Sequence, residues 1–182
     1  DNGLSAKNAY TLVPNTSKSL ISMLCSIPPY PNPRVVGAEI DELPVNCLPE
    51  LLGMQGYRTA FFQPARADYE NRRNLVRNLG FETFFSLTDI DAEHFEHVNY
   101  FGIEDRAMLR PSRAWLTEDR KRPFLATYLT LATHHDYGEN AVSTQTQYTD
   151  HETKNDYLNA LRSVDNFIKK LLDQYKSLGL LE

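Results

Sequence analysis

The polar segment before the first apolar run carries a hydroxyl that could act as a nucleophile. Thr16 lies in the run 14–19, which leads into apolar residues within 20–25. A hydroxyl at a helix N-terminus lies in positive potential, and a bound metal ion lowers its pKa and activates it toward phosphorus or sulfur. The alternative is a plain helix cap, because such a hydroxyl also accepts from first-turn N–H groups. Lys18 is close enough in sequence to help bind an anion, or it is solvated.

A second polar segment combines two histidines with an aspartate. His134, His135 and Asp136 follow residues 123–131, the most continuous apolar and β-forming stretch of the chain. Loops at the carboxyl ends of parallel strands hold the sites of α/β proteins. The three side chains can bind an anion or a metal ion there, and the alternative is a polar surface loop.

Two other histidine patterns are weaker. His94 and His97 stand three residues apart and on a helix would share one face near acidic residues, with an exposed acidic turn as the alternative. His151 and Glu152 begin a zinc-protease pattern. Asn155 occupies the position of the required second histidine, so that pattern fails.

Composition narrows the class of protein. The chain has 182 residues, 41% of them hydrophobic and 24% charged, with a net charge of −5. These values predict one globular domain or part of one, and a chain without a basic run is a poor nucleic-acid binder. The sequence has neither a stretch long and apolar enough for a membrane helix nor an export signal. Cys25 and Cys47 permit at most one disulfide and do not decide the compartment.

Helical and strand patterns alternate along the chain. Apolar spacing predicts helices over 16–25, 48–54, 69–79, 103–119 and 157–175, strands over 57–62, 81–87 and 123–131, and loops over 27–44 and 133–154. Pro111 predicts a kink or a break in the fourth helix. The alternation predicts an α/β fold with a mainly parallel sheet. Since two or three good strands are few for such a sheet, we expect the chain to be part of a larger domain.

Taken in order, several segments resemble one enzyme family. They are residues 15–20, 52–60, 71–72 before 79–81, 102–105, 133–134 after the best strand, and 157–165. The set resembles the sulfatase-like branch of the alkaline phosphatase superfamily, in particular the phosphoglycerol transferase and lipoteichoic acid synthase group. The resemblance extends over residues 1–182 and implies a three-layer α/β/α fold with a mainly parallel sheet, here incomplete.

The resemblance implies roles for particular residues. Thr16 falls at the position of the nucleophile and metal ligand, Arg72 resembles an arginine that contacts the substrate headgroup, and His134 resembles a histidine that binds the transferred group. True sulfatases carry a Cys/Ser-x-Pro-x-Arg motif that is matured to formylglycine, and residues 16–20 lack it. The resemblance therefore favours phosphodiester or phosphoglycerol-type transfer over sulfate-ester hydrolysis.

Most of the family's metal ligands are expected outside this sequence. In the family one acid lies on a strand before the nucleophile helix, and an Asp-His pair lies on a strand after the last long helix. Of the expected ligands only Thr16 is present. We therefore expect the complete protein to use Mn²⁺, Mg²⁺, Ca²⁺ or Zn²⁺, and this chain alone to bind no catalytic metal tightly and to be inactive or nearly so.

The resemblance also implies a substrate and a location. The substrate would be a small-molecule or lipid-linked phosphate or sulfate ester, and no nucleic acid is expected as a partner. The protein would act outside the cytoplasm, in the periplasm or at the cell surface, held by membrane helices outside this chain. The alternatives are a non-catalytic binding or sensing domain, in which Thr16 is only a cap, and a true sulfatase with an unmodified threonine.

Overall fold

The elements of the chain alternate as the sequence predicts. A computed structural model describes residues 5–29, 34, 36–137 and 145–181. The helices are, in chain order, α1 Thr16–Cys25, α2 Val36–Glu39, α3 Leu48–Met54, α4 Arg72–Asn78, α5 Leu109–Glu118 and α6 Glu152–Ser177. The strands are β1 Arg58–Phe62, β2 Thr83–Phe85, β3 His97–Asn99, β4 Gly102–Ile103 and β5 Phe124–Tyr128. Short 3₁₀ turns cover Tyr69–Asn71, Leu87–Asp89 and Asp105–Met108.

β1 forms the centre of a three-stranded parallel sheet. The strand order is β2-β1-β5, with Ala60 opposite Thr83 on one side and Arg58 opposite Phe124 on the other. All five residues of β1 are buried, as expected for a strand covered on both faces. The three strands predicted from the sequence are confirmed, each somewhat shorter than its pattern.

Adjacent aromatic residues of β1 face two separate hydrophobic layers. Phe61 packs with Leu20 of α1 and Leu75 of α4 on one face of the sheet. Phe62 packs on the other face with residues of α5 and α6, including Trp115 and Phe167. Successive side chains of a strand point to opposite faces, so this pair fixes helices on both sides of the sheet. The predicted three-layer α/β/α arrangement, with a parallel sheet between two layers of helices, is confirmed.

The region before α5 differs from the prediction. Residues 102–103 belong to β4, which pairs antiparallel with β3, and a 3₁₀ turn at 105–108 precedes α5. The helix predicted to begin at 103 therefore begins at Leu109. Pro111 lies in the first turn of α5 and does not split it, because N–H groups in the first turn have no partner within the helix.

Two other expectations are corrected. The loop predicted over 27–44 contains the short helix α2, and α6 begins at Glu152, before the predicted start. His97 lies in β3 and His94 in an exposed turn, so the two residues share no helix face, and the alternative of an exposed turn holds for His94. Strands of two or three residues are too short to show a periodic pattern, which explains why β3 and β4 were missed.

A disulfide joins the two cysteines whose pairing the sequence left open. Cys25 ends α1 and Cys47 is the residue before α3, and the bond between them closes a loop with a sequence separation of 22. Cys47 is fully buried. The bond therefore joins the C-terminus of α1 to the start of α3.

The double variant Cys25→Ala/Cys47→Ala is expected to unfold at a lower denaturant concentration. Removing a cross-link over this loop length costs about 3 kcal/mol through the greater conformational freedom of the unfolded chain. The measurement is the free energy of unfolding in urea. Wild-type protein treated with a thiol reductant is the control and should match the variant. A variant as stable as the oxidised wild type would contradict the stabilising role of the bond.

Candidate active site

Three of the four predicted site residues line one cavity. Thr16, Arg72 and His134 surround a space of about 80 Å³ together with Gln63 and residues 129–131. Gln63 follows β1 directly, and residues 129–131 follow β5, so the cavity lies at the carboxyl edge of the parallel sheet. This is the place where open α/β sheets hold ligands. The fold thus brings together residues that are far apart in sequence.

Thr16 is the first residue of α1 and is exposed. The helix is capped by its neighbour Asn15, whose side-chain oxygen accepts a hydrogen bond from the backbone N–H of Lys18 at 3.0 Å. Asn15 therefore supplies the helix cap that was the alternative role for Thr16. The hydroxyl of Thr16 lies beside the positive end of the α1 dipole, where negative charge is stabilised.

Arg72 places a buried guanidinium at the cavity. It is 5% exposed, and its Nη2 lies 3.8 Å from Oε2 of Glu70. Burial lowers the pKa of the Arg72 guanidinium, and the Glu70 carboxylate partly opposes that effect. Nη1 is buried and has no hydrogen-bond partner in the part of the chain that the structure describes. An anionic oxygen in the cavity would supply the partner that this donor needs.

His134 faces the cavity with a defined tautomer. Its Nδ1 lies 2.8 Å from the carbonyl oxygen of His135, and a carbonyl only accepts, so Nδ1 carries a proton. The ring packs edge-on against Phe101 with centroids 4.5 Å apart. Nε2 is then the ring atom that can accept from a ligand or, once protonated, donate to it.

Gly102 allows strand β4 to approach the loop after β1 closely. The backbone N–H of Ile103 donates to the carbonyl oxygen of Pro64 at 3.0 Å. A Cβ at position 102 would lie 2.0 Å from that same oxygen, so only glycine permits the approach. This contact positions Ala65, which lines the cavity and bridges to Gly102.

Asp105 supports the loop that carries His134, a role that the sequence analysis missed. Its buried carboxylate accepts hydrogen bonds from the backbone N–H groups of Leu131 at 2.6 Å and Ala132 at 3.3 Å. Burial raises the pKa of Asp105 to about 6, against the lowering effect of those two bonds. Asp105 lies within the segment 102–105 that carries the family resemblance, which was the available signal.

Asp105→Asn is expected to remove a pH-dependent part of the stability. Because the native pKa of about 6 exceeds the ordinary 3.8, the native state holds this proton more tightly. The wild type therefore loses stability relative to the variant as pH rises, by about 3 kcal/mol in all from below pH 4 to above pH 6, and the difference levels off near pH 7. The measurement is urea unfolding of both proteins at pH 4, 5, 6 and 7. A difference that stays constant across this range would contradict the assignment.

Lys18, the fourth predicted residue, lines a different cavity. That space measures about 300 Å³ and is bordered mainly by apolar side chains, among them Ile21, Ile40 and Leu43. The structure therefore does not place Lys18 with the other three residues. His135 and Asp136 are exposed. His151 caps α6, with its Nδ1 accepting from the backbone N–H of Lys154 at 3.3 Å.

Within residues 5–29, 34, 36–137 and 145–181, no three His, Cys, Asp or Glu side chains are grouped so that they could hold a metal ion. Thr16 is thus the one expected ligand that the described residues place at the cavity. None of the helices in the described ranges is both long and apolar enough to cross a membrane.

The fold and the cavity define an α/β/α protein with an anion-suited site at the carboxyl edge of a parallel sheet. The family model "Sulfatase" matches residues 1–182, and the chain belongs to that family. It is 26% identical over 138 residues to lipoteichoic acid synthase 1 of Bacillus subtilis (strain 168), a match that covers 74% of this chain and 21% of that protein. The chain thus spans about a fifth of the length of this relative.

Solved structures show the same fold. The lipoteichoic acid synthase LtaP from Listeria monocytogenes superposes with a TM-score of 0.78 at 20% identity, over 92% of this chain and 41% of that one. The C-terminal periplasmic domain of EcEptC from Escherichia coli, in complex with Zn, gives a TM-score of 0.65 at 18% identity, over 92% of this chain and 47% of that one. The resemblance to the sulfatase-like branch of the alkaline phosphatase superfamily is confirmed.

Proposed function

We propose that the chain is part of a metal-dependent, sulfatase-like hydrolase or transferase that acts on phosphate esters, with Thr16 as its nucleophile. The observation that carries the proposal is that Thr16, Arg72 and His134 line one cavity at the carboxyl edge of the sheet. The membership in the Sulfatase family and the likeness to a lipoteichoic acid synthase support it.

Each of the three side chains has a distinct task in the proposed reaction. The hydroxyl of Thr16 gives up its proton to solvent as its oxygen attacks phosphorus and forms a P–O bond, while the bond to the leaving oxygen breaks and that oxygen takes up a proton to leave as an alcohol. Arg72 donates hydrogen bonds to non-bridging oxygens through its buried guanidinium. His134 donates from Nε2 to a phosphoryl or leaving oxygen when it is protonated. Water or an acceptor hydroxyl then attacks phosphorus and releases Thr16.

The metal requirement is part of the same proposal. A divalent cation, Mn²⁺, Mg²⁺, Ca²⁺ or Zn²⁺, would lower the pKa of the Thr16 hydroxyl and screen charge on the ester. From this chain only Thr16 is assigned to it, and the remaining ligands are assigned to segments before and after residues 1–182. The zinc complex of the EcEptC domain supports a metal site in a protein of this fold.

The preferred substrate is a phosphodiester or phosphoglycerol-type ester, either a small molecule or linked to a lipid. Residues 16–20 lack the formylglycine maturation motif of true sulfatases, which favours phosphate over sulfate. The named activity of the B. subtilis relative, lipoteichoic acid synthesis, supports the same class.

The proposed location is outside the cytoplasm, with a membrane anchor in segments outside this chain. The disulfide between Cys25 and Cys47 supports it, because such bonds persist mainly in oxidising compartments. The periplasmic location of the EcEptC domain supports it as well.

The deciding experiment compares three esters with the complete protein and with this chain alone. Purified protein is assayed on an aryl phosphodiester, an aryl phosphate and an aryl sulfate, with and without added Mn²⁺, alongside Thr16→Ala. We expect metal-dependent cleavage of the diester by the complete protein, loss of it in the variant, and no turnover by this chain. Preferred cleavage of the sulfate would identify a sulfatase. Equal inertness of wild type and variant would favour a binding or sensing domain. Tight metal binding with turnover by this chain alone would contradict the assignment of ligands to other segments.

A further inference from the structure

Glu70 connects the two sides of the candidate active site. Its Oε1 accepts a hydrogen bond from Nδ2 of Asn15 at 3.0 Å, and its Oε2 accepts from Oγ of Ser17 at 2.5 Å. Asn15 and Ser17 flank Thr16 in the chain. Oε2 also lies 3.8 Å from Nη2 of Arg72. One carboxylate therefore contacts both neighbours of Thr16 and the buried guanidinium.

The Glu70 carboxylate also stabilises the helix cap. Asn15 uses its side-chain oxygen to accept from the first turn of α1, and its amide N–H group donates to Glu70. The orientation of the capping side chain is thus fixed at both ends. Since Ser17 is fully buried, its hydroxyl has no solvent to replace the bond to Glu70. The start of α1, and Thr16 with it, is held in place by this carboxylate.

The backbone at Glu70 has an unusual conformation that directs the side chain toward α1. Glu70 has φ 49° and ψ 31°, and Asn71 has φ 47° and ψ 46°. Both lie in the left-handed region, which residues other than glycine occupy rarely. Nδ2 of Asn71 donates to the carbonyl oxygen of Ala38 at 2.8 Å, which holds the turn to α2. Such conformations persist where surrounding contacts determine them, often at functional sites.

The contact with Arg72 also orients the guanidinium. At 3.8 Å, Glu70 and Arg72 attract each other as charges without a direct hydrogen bond. Nη2 is the atom nearest the carboxylate, and Nη1 is the buried donor without a partner among the described residues. An anion in the cavity can thus take Nη1 while Nη2 stays beside Glu70. The negative charge of Glu70 also offsets part of the attraction of Arg72 for that anion.

We propose that Glu70 is a positioning residue that holds Thr16 and Arg72 in register and moderates the affinity of Arg72 for anions. The inference rests on the proposed function, because it gives Thr16 and Arg72 the roles of nucleophile and anion contact. Its hydrogen bonds set the turnover number through the position of Thr16. Its charge sets the affinity through Arg72. The two contributions can be separated by substitution.

The test uses two variants of the complete protein. Glu70→Gly removes the carboxylate, and glycine adopts the positive φ without strain, so the backbone conformation at this position is kept. Glu70→Gln keeps the length and can still contact Asn15 and Ser17, but it carries no charge. Glu82→Gln is the matched control, since Glu82 forms an exposed ion pair with Arg122 outside the cavity. The readouts are kcat, KM and Tm on the best ester, and the Kd of inorganic phosphate by calorimetry.

The expected results separate positioning from a purely structural role. Glu70→Gly should lower kcat by about 10²-fold, the scale of a small misplacement of reacting groups, at a temperature at which the variant is fully folded. Its Tm should fall modestly, because the buried Ser17 hydroxyl loses its acceptor. Glu70→Gln should lower kcat much less and tighten phosphate binding by roughly fivefold. Unchanged kcat in Glu70→Gly with an active wild type would overturn the inference alone, as would a loss of kcat confined to temperatures at which the variant unfolds. The wild type could cleave no ester while Glu70→Gln still binds phosphate more tightly than the wild type does. That result would overturn the proposed function and keep the effect of Glu70 on Arg72. If the wild type neither cleaves an ester nor binds phosphate, both the proposed function and the role of Glu70 are overturned.

Discussion

Thr16→Val is expected to lower the turnover number of the complete enzyme by about 10³-fold or more. Valine keeps the shape of the side chain and removes the hydroxyl assigned to attack the ester. Thr16 is exposed and Asn15 supplies the cap, so we expect the free energy of unfolding to stay unchanged. The measurement is steady-state kinetics on the best ester of the panel, with Tm recorded in parallel.

Thr16→Ser is the matched control, because it keeps a hydroxyl at the first position of α1. It should retain the activity to within about tenfold, since the attacking group is the same and only the methyl group is lost. Wild-type turnover in Thr16→Val would rule out Thr16 as the nucleophile. A fall in Tm as large as the fall in activity would indicate a structural role for the side chain.

Arg72→Met should reduce kcat/KM for a phosphate ester by about 10³-fold, at the upper end of what one donor to a reacting group contributes. Methionine fills much of the space without charge. Removing Arg72 takes away a buried donor that has no partner among the described residues, but it also takes the neighbouring cation from Glu70. Because these two effects oppose each other, we expect the free energy of unfolding to stay nearly unchanged. A loss of affinity without a loss of stability is therefore the expected signature, measured by kinetics and urea unfolding.

Two further variants make the Arg72 result specific. Arg72→Lys keeps the charge but lacks the planar fork, and it should recover only part of the activity. Arg110→Met removes an exposed arginine that pairs with Asp91 on the surface, and it should leave kcat/KM unchanged. Equal activity of wild type and Arg72→Met would show that the cavity binds its anion without Arg72.

The framework of the fold was predictable because its patterns are local. The three strands of the sheet coincide with runs of apolar and β-forming residues, and α1 begins where polar residues precede an apolar run. The predicted start of the helix at residue 103 was wrong, because the sequence pattern of a two-residue strand and a 3₁₀ turn is weaker than that of the helix that follows. The pairing of Cys25 with Cys47 could not be predicted from the sequence, because only packing brings the end of α1 to the start of α3.

The site was predictable in part for the same reason. Thr16, Arg72 and His134 each lie in a segment that resembles the family, and the fold places them at one cavity. Asp105 and Glu70 act through partners that are remote in sequence, Leu131 for the first and Asn15 for the second. No local pattern marks such contacts, and a glutamate with positive φ contradicts residue preference. The chemical roles of all these residues stay predictions.

The positions of the two cysteines relative to the strands suggest an order of assembly during synthesis. Cys25 and Cys47 both precede β1, so their covalent loop can close before β1 has emerged. β1 then meets β2 across the short connection through α4, whereas β5 reaches β1 only after the chain has extended to Phe124. Because closing a longer loop costs more conformational entropy, we expect β5 to dock after β2. We therefore expect the cross-linked segment and the β1–β2 pair to form first, and β5 to complete the sheet afterwards.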